Sequence, residues 1–330
     1  MMILCIGGWF SGNSAILDFL SSNSDIKYLR SDFDVLRKKS GIIDLIIEED
    51  LREKNKVIIS NLKYSILKLI SAVKFNVGRY SKHLLKSNDF HSEREYRLRY
   101  DDHVSFNTKF IIYMLSYFFK LNFLSIDNDN EIKHWRKWLN SFREKPNQKV
   151  IFCNPIYYDN FEPSHSFVWR RLFEPCKLLL VHRDPLDQFC DIYQKNGMVD
   201  TSVVRFFSGT EELSPVERFL HIVKKIHRAR IELIYEKKSD DLLLVSFEDF
   251  IENNNYVVDQ INKFLFIDSN NYRESKFFDI ERSRKNINIF KKNSVVSSLV
   301  EQHLGIFIRL RKMRNELIEV YSRNESKDEH

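Results

Sequence analysis

The chain has 330 residues, with 52 Lys and Arg against 46 Asp and Glu. At 43% hydrophobic and 30% charged residues, it is neither a disordered chain nor a membrane bundle. The net charge of +6 is too diffuse for a nucleic-acid binder, but suits an anionic ligand or an anionic membrane surface touched peripherally. Cys5, Cys153, Cys176 and Cys190 stand apart without a C-x-x-C pair. They make no disulfide scaffold and no zinc or redox signature, and a reducing, cytoplasmic setting is expected.

Met2–Ile6 is an apolar run read as a buried first strand. It has no basic segment before it and no small-residue cleavage site after it, so it is not expected to be a signal peptide. A helix is predicted over Ser14–Leu20 and a weaker strand over Ile26–Leu29. Residues 35–145 read as a helical insertion with apolar stripes at Ile42–Ile47, Ile58–Val73 and Phe110–Phe123. Phe110–Phe119 is the most apolar stretch, but a membrane span needs about 20 residues, so it is expected to be a buried helix. Trp135 and Trp138 suit either a core or a sugar-stacking surface. Arg94, Arg97 and Arg99 suit either an acidic glycan or a solvated helix face.

Three more continuous apolar runs come later in the chain, Lys149–Cys153, Lys177–His182 and Leu242–Ser246. Runs of this kind are the mark of parallel strands covered on both faces. Helices are predicted over Pro185–Gln194, with proline in the first turn, over Pro215–Tyr235, over Val257–Leu265, and as one long helix over Val295–Tyr321. Strands alternating with helices predict an α/β fold, a three-layer parallel sheet with helices on both faces plus the helical insertion. No repeat or flexible tether is apparent, and the chain reads as one α/β domain over 1–330.

Two segments carry candidate chemistry. Gly7-Gly8-Trp9-Phe10-Ser11-Gly12-Asn13-Ser14 joins the first strand to the first helix with the spacing of a phosphate loop. Such a loop turns backbone N–H groups toward an anion at a helix N-terminus. Asn13 stands where a nucleotide-hydrolysing loop has lysine, which argues against an ATP-dependent kinase. A plain turn with Ser11 or Asn13 as the helix cap is the simpler alternative. The second segment, Leu178–Asp187, delivers Arg183 to the C-terminal end of a strand, where open α/β sheets bind ligands. Arg183 offers a bidentate fork to phosphate; the alternative is an ion pair with Asp184 or Asp187.

Together these segments resemble the PAPS-dependent sulfotransferase family, in its bacterial, P-loop-like form, with divergent donor-site motifs. PAPS is 3′-phosphoadenosine 5′-phosphosulfate. Phe10-Ser11-Gly12-Asn13-Ser14 is similar to the family's loop around the 5′-phosphosulfate, and Arg183-Asp184-Pro185 to its R-D-P, whose arginine holds the 3′-phosphate. Leu242–Phe250 is similar to its late L-x-V-x-Y/F-E-D-L strand. Arg282-Ser283-Arg284-Lys285-Asn286 is similar to its basic segment over the nucleotide. The resemblance implies PAPS as co-substrate and a P-loop-like sulfotransferase fold. It implies a donor site at Gly8, Trp9, Phe10, Ser11, Gly12, Asn13, Ser14, Arg183, Asp191, Arg284 and Lys285, with no metal. The acceptor would be a hydroxyl or amine of a glycan or lipid-linked saccharide, with the insertion on the acceptor side.

Phe10 departs from the family's Lys or Arg. Asp191, eight positions after Arg183, replaces a phosphate-binding serine and would repel a phosphate. Cys153-Asn154-Pro155 lacks the lysine common there. These departures open a second reading, a non-catalytic or donor-altered descendant. The general base is expected to be Asp34 or His103, the latter beside Asp101 and Asp102; Asp32 and His182 are further candidates. His221 and His227 have no acidic partner at metal spacing.

Overall fold

The computed structural model describes residues 1–7, 11–28, 41–83, 90–124, 127–153, 163–194, 212–237, 239–275 and 278–328; at 68, 71–83, 90–103, 128, 163–167, 239 and 327–328 it describes the backbone only. The chain begins with β1 (Met2–Gly7), α1 (Asn13–Leu20) and β2 (Ile26–Tyr28). Four helices come next, α2 (Ile42–Ile47), α3 (Leu51–His83), α4 (Phe90–Phe123) and α5 (Asn128–Asn140). Then come β3 (Lys149–Cys153), α6 (Pro163–Phe173), β4 (Cys176–His182), α7 (Pro185–Gln194), α8 (Pro215–Glu236) and β5 (Leu242–Ser246). The C-terminal part holds α9 (Phe247–Glu252), α10 (Asn254–Leu265), α11 (Ile280–Arg284), α12 (Ser294–Gln302) and α13 (Leu304–Asp328). The five strands form one all-parallel sheet in the order β2-β3-β1-β4-β5. An α/β fold is therefore as the patterning predicts: β1 is buried along its whole length, as a central strand covered on both faces must be.

Contacts divide the chain into two compact units, one of Met1–Met2 with Ile26–Pro175, the other of Ile3–Asp25 with Cys176–His330. In the first unit the aromatic residues build the core. Phe106, Phe110, Trp135 and Trp138 are buried, with Trp138 edge-on to Phe106, Phe110 and Phe142 at 5.3–5.6 Å. Both tryptophans are thus core residues rather than a sugar-stacking surface. Under the same layer lies a buried ion pair, Lys54 Nζ to Glu131 Oε1 at 2.7 Å.

Two expectations are corrected here. Phe110–Phe119 is not a buried helix throughout. Phe110, Met114 and Tyr117 are buried, but Ile112, Leu115 and Phe119 are more than half exposed. A window average cannot separate two apolar faces of one helix from a single buried one. The C-terminal helix is two helices, broken at His303, whose φ of −117° and ψ of 31° leave the helical region. The buried stripe Val296, Val300, Phe307, Leu310 and Leu317 keeps its spacing through the break, so periodicity gives no sign of it.

In the second unit α8 starts with a full capping box. Ser214 Oγ accepts from Glu217 N while Glu217 Oε2 accepts from Ser214 N at 3.1 Å, with Pro215 in the first turn. β4 and β5 pair in register from Leu178 opposite Leu242 to His182 opposite Ser246. This register puts the ends of both strands level, and the segments leaving those ends form the candidate site.

Candidate functional site

The site is built in the second unit from the C-terminal ends of β1, β4 and β5. Gly8, Trp9 and Phe10 lie outside the described residues, as do Asp32 and Asp34. Gly7 ends β1 where a Cβ would come within 2.1 Å of Ser11 Oγ; only glycine lets the chain fold back this tightly. Ser11 is buried, and its hydroxyl has no hydrogen-bond partner among the described residues. Gly12 is the helix cap, at φ 89° and ψ 0°, with no side-chain cap on α1. The alternative, a cap by Ser11 or Asn13, is not formed; a left-handed glycine stands there, a conformation that a side chain makes costly. Asn13 is buried and Ser14 exposed in the first turn of α1, which holds no acidic residue.

Arg183 comes directly after β4 and is 5% exposed. The guanidinium forms an ion pair through Nη1 with Asp191 and donates from Nη2 to the Asn286 carbonyl at 2.6 Å. Its carbon stands 5.0 Å from the centre of the Phe247 ring. That ring also lies against Gly12, where a Cβ would come within 2.1 Å of Phe247 Cδ2. Gly12 and Arg183 are thus neighbours across one buried aromatic ring, which occupies the space between them.

The ion-pair alternative holds for Arg183, with Asp191 in place of Asp184 or Asp187, and the other two carboxylates fix backbone. Asp184 Oδ1 accepts from Leu186 N at 2.8 Å and its Oδ2 from Arg311 at 2.9 Å. Asp187 accepts from Asn288 N at 2.7 Å and Phe290 N at 3.3 Å. This ties the segment after α11 across the start of α7. Burial pushes the Asp187 carboxyl up, against the pull of those two backbone donors. Arg284, at the end of α11, pairs with Glu281, and Lys285 beside it is exposed. His103 lies on α4, where only the backbone is described, as is the case for Arg94, Arg97 and Arg99.

The helix after β5, α9, anchors a polar relay. Glu248 Oε1 accepts from Asp184 N at 2.7 Å, and Oε2 accepts from Arg314 Nη2 at 2.6 Å. Arg314 Nε donates to His182 Nδ1 at 3.0 Å, which fixes the neutral ring with its proton on Nε2. Burial, then the Arg314 and Arg230 charges, hold the His182 imidazolium well below its ordinary range near 6.5. The unfolded histidine takes up a proton below about 6.5 and the folded one does not, so stability is lost as pH falls through that window. The loss attributable to this residue approaches about 1.4 kcal/mol per pH unit. Urea unfolding between pH 7 and 5 should show His182→Asn flatter than the parent chain by that slope; equal slopes would remove His182 from the acid response.

Phe247 enters the sequence reading only as part of a motif, and Asn286 only as the end of a basic segment; its contribution is a carbonyl, which leaves no side-chain signal. Among the described residues, no group of three or more His, Cys, Asp or Glu stands where it could hold a metal. Among the same residues, no helix is long and apolar enough to cross a membrane. Comparison of the chain with protein-family models and with curated proteins finds no match.

Proposed function

We propose that this chain binds an anionic nucleotide at the ends of β1 and β4 and acts as a PAPS-dependent sulfotransferase on a glycan or lipid-linked saccharide. The observation that carries this reading is that Gly12 and Arg183 both reach the sheet edge where β1 and β4 end; Phe247, packed in the space between them, counts against one bisphosphate gripped by both. The four segments of the resemblance meet there, through Gly12, Arg183, Phe247 and the Asn286 carbonyl. Further support comes from the buried Ser11 hydroxyl beside the turn and from the bridging segment tied to Asp187. In the reaction the acceptor oxygen or nitrogen would bond to sulfur as the bond from sulfur to the phosphate oxygen breaks. The electron pair leaves on the nucleotide phosphate, and a base takes the acceptor proton. Backbone N–H groups around Gly12 would steady the leaving phosphate, and Arg183 the other phosphate. For the base, Asp34 and His103 remain the proposal.

A second reading, a donor-altered or non-catalytic member, is favoured by the packed Phe247 ring and by one further observation. Arg183 already holds a carboxylate where a 3′-phosphate would sit. Calorimetry with PAP, the desulfated nucleotide, separates the two. Asp191→Ser frees the guanidinium and removes a like charge, so PAP affinity should rise by about 10–100-fold, the worth of one charge-assisted hydrogen bond. If neither protein binds PAP at millimolar concentration, the donor reading falls and the second stands.

A further inference from the structure

We propose that the outward face of the α3–α4 hairpin is a docking surface for an anionic lipid bilayer. The two helices pack side by side. Asn55, near the start of α3, and Asn122, near the end of α4, exchange amide hydrogen bonds at 3.1 and 3.0 Å, so the helices run antiparallel. The buried faces are Ile58, Asn61 and Ser65 on α3, and Phe106, Phe110 and Tyr117 on α4. On the side away from these, Ile59, Ile66 and Ile70 are 45–59% exposed, and Leu115, Phe119 and Phe123 are 52–68% exposed.

The spacing joins these residues into one surface. Steps of seven and four put Ile59, Ile66 and Ile70 on one stripe of α3, and steps of four do the same for Leu115, Phe119 and Phe123 on α4. Asn55 lies four residues before Ile59 and Asn122 seven after Leu115. The bonded amides therefore belong to both stripes, and the stripes border each other along the helix seam. Exposed aliphatic and aromatic residues gathered this way mark an interaction surface.

Charge decides the occupant. Residues 51–70 carry Arg52, Lys56 and Lys63, all exposed, against Glu53, which pairs with Lys56; Lys54 is buried on Glu131, and Lys109 and Lys120 of α4 are engaged by the Ser141 carbonyl and His134. Lys56 and Lys63 are exposed beside the α3 stripe. A second copy of this face would set these cations against one another. An anionic headgroup layer matches them, while the acyl boundary below takes the apolar side chains. This is the pattern of a helix pair lying in the interface plane, and it does not depend on the nucleotide reading.

The test uses the full chain, sedimented with vesicles of phosphatidylcholine alone or with phosphatidylglycerol added. Partitioning should favour the anionic vesicles by at least about ten-fold and weaken as salt screens the lysines. Ile66→Glu combined with Phe119→Glu, both at exposed positions, should reduce it by at least about ten-fold without a fall in melting temperature. No preference for anionic vesicles would overturn the proposal, as would equal partitioning of the double variant. A concentration-dependent dimer abolished by the double variant would also overturn it, by assigning the face to a second copy.

Discussion

Replacing Gly12 by alanine is expected to destabilise the chain by about 2–5 kcal/mol, read as the urea-unfolding midpoint. Two independent costs add. The backbone at φ 89° is one that L-residues resist, at about 1–2 kcal/mol. The new methyl would also meet Phe247 at 2.1, 2.5 and 2.9 Å from Cδ2, Cγ and Cβ. A ring 2% exposed, with Arg183 against it, has no free rotamer to take up, and such overpacking costs about 1–3 kcal/mol. Gly305→Ala is the matched control. It lies in α13 with nothing within 4 Å of the added Cβ, and is expected to be neutral or stabilising by up to about 1 kcal/mol. If the two variants unfold alike, the packing of Phe247 on Gly12 is not a feature of the folded protein. Under the proposed function, Gly12→Ala also weakens PAP, because the displaced loop no longer aims its N–H groups.

The second large effect lies in the helical unit. Lys54→Met should cost about 3–5 kcal/mol, since it leaves Glu131 buried without its cation. Glu131 is 1% exposed at the side chain and Lys54 7%. Burial already pushes the Glu131 carboxyl up, and Lys54 is the largest influence holding it down. Without Lys54 the folded carboxyl rises further above its unfolded value near 4.5. Such a group stabilises the fold below the unfolded value and loses that contribution as pH rises toward the folded one. The deficit of Lys54→Met should therefore shrink toward pH 5 and be largest at pH 7 and above. Adding Glu131→Leu should recover most of the loss, because an apolar pair of similar volume is often neutral or better than a buried ion pair. A deficit independent of pH would mean that the lost lysine stem, not the stranded charge, is responsible.

Much of the architecture is written locally. Lys149–Cys153 and Leu242–Ser246 form strands at the residues their apolar runs mark, and Pro185–Gln194 is the helix its first-turn proline announces. A parallel strand covered by other layers needs a run of apolar residues rather than an alternation, and proline has few other places in a helix, so these signals survive tertiary context. The stripes at Ile42–Ile47 and Ile58–Val73 likewise mark helices because amphipathic spacing belongs to the chain itself.

The site was legible only as segments. Sequence spacing brings Gly12 and Arg183 each to the end of a strand, because the turn residues and the apolar runs are local. It cannot say that Phe247 fills the gap between them, that Asp191 rather than Asp184 or Asp187 takes the arginine, or that the Asn286 carbonyl completes its shell. Those partners lie 64, 8 and 103 positions from Arg183 in the sequence, and only the packing of β4, β5 and the segment after α11 chooses among them. Nor can periodicity tell which of two apolar faces on α4 is covered. The chain itself fixes elements and their order; tertiary contact decides which charges are spent on one another and which apolar faces are left open, because pairing energy depends on distance and burial, not on proximity in sequence.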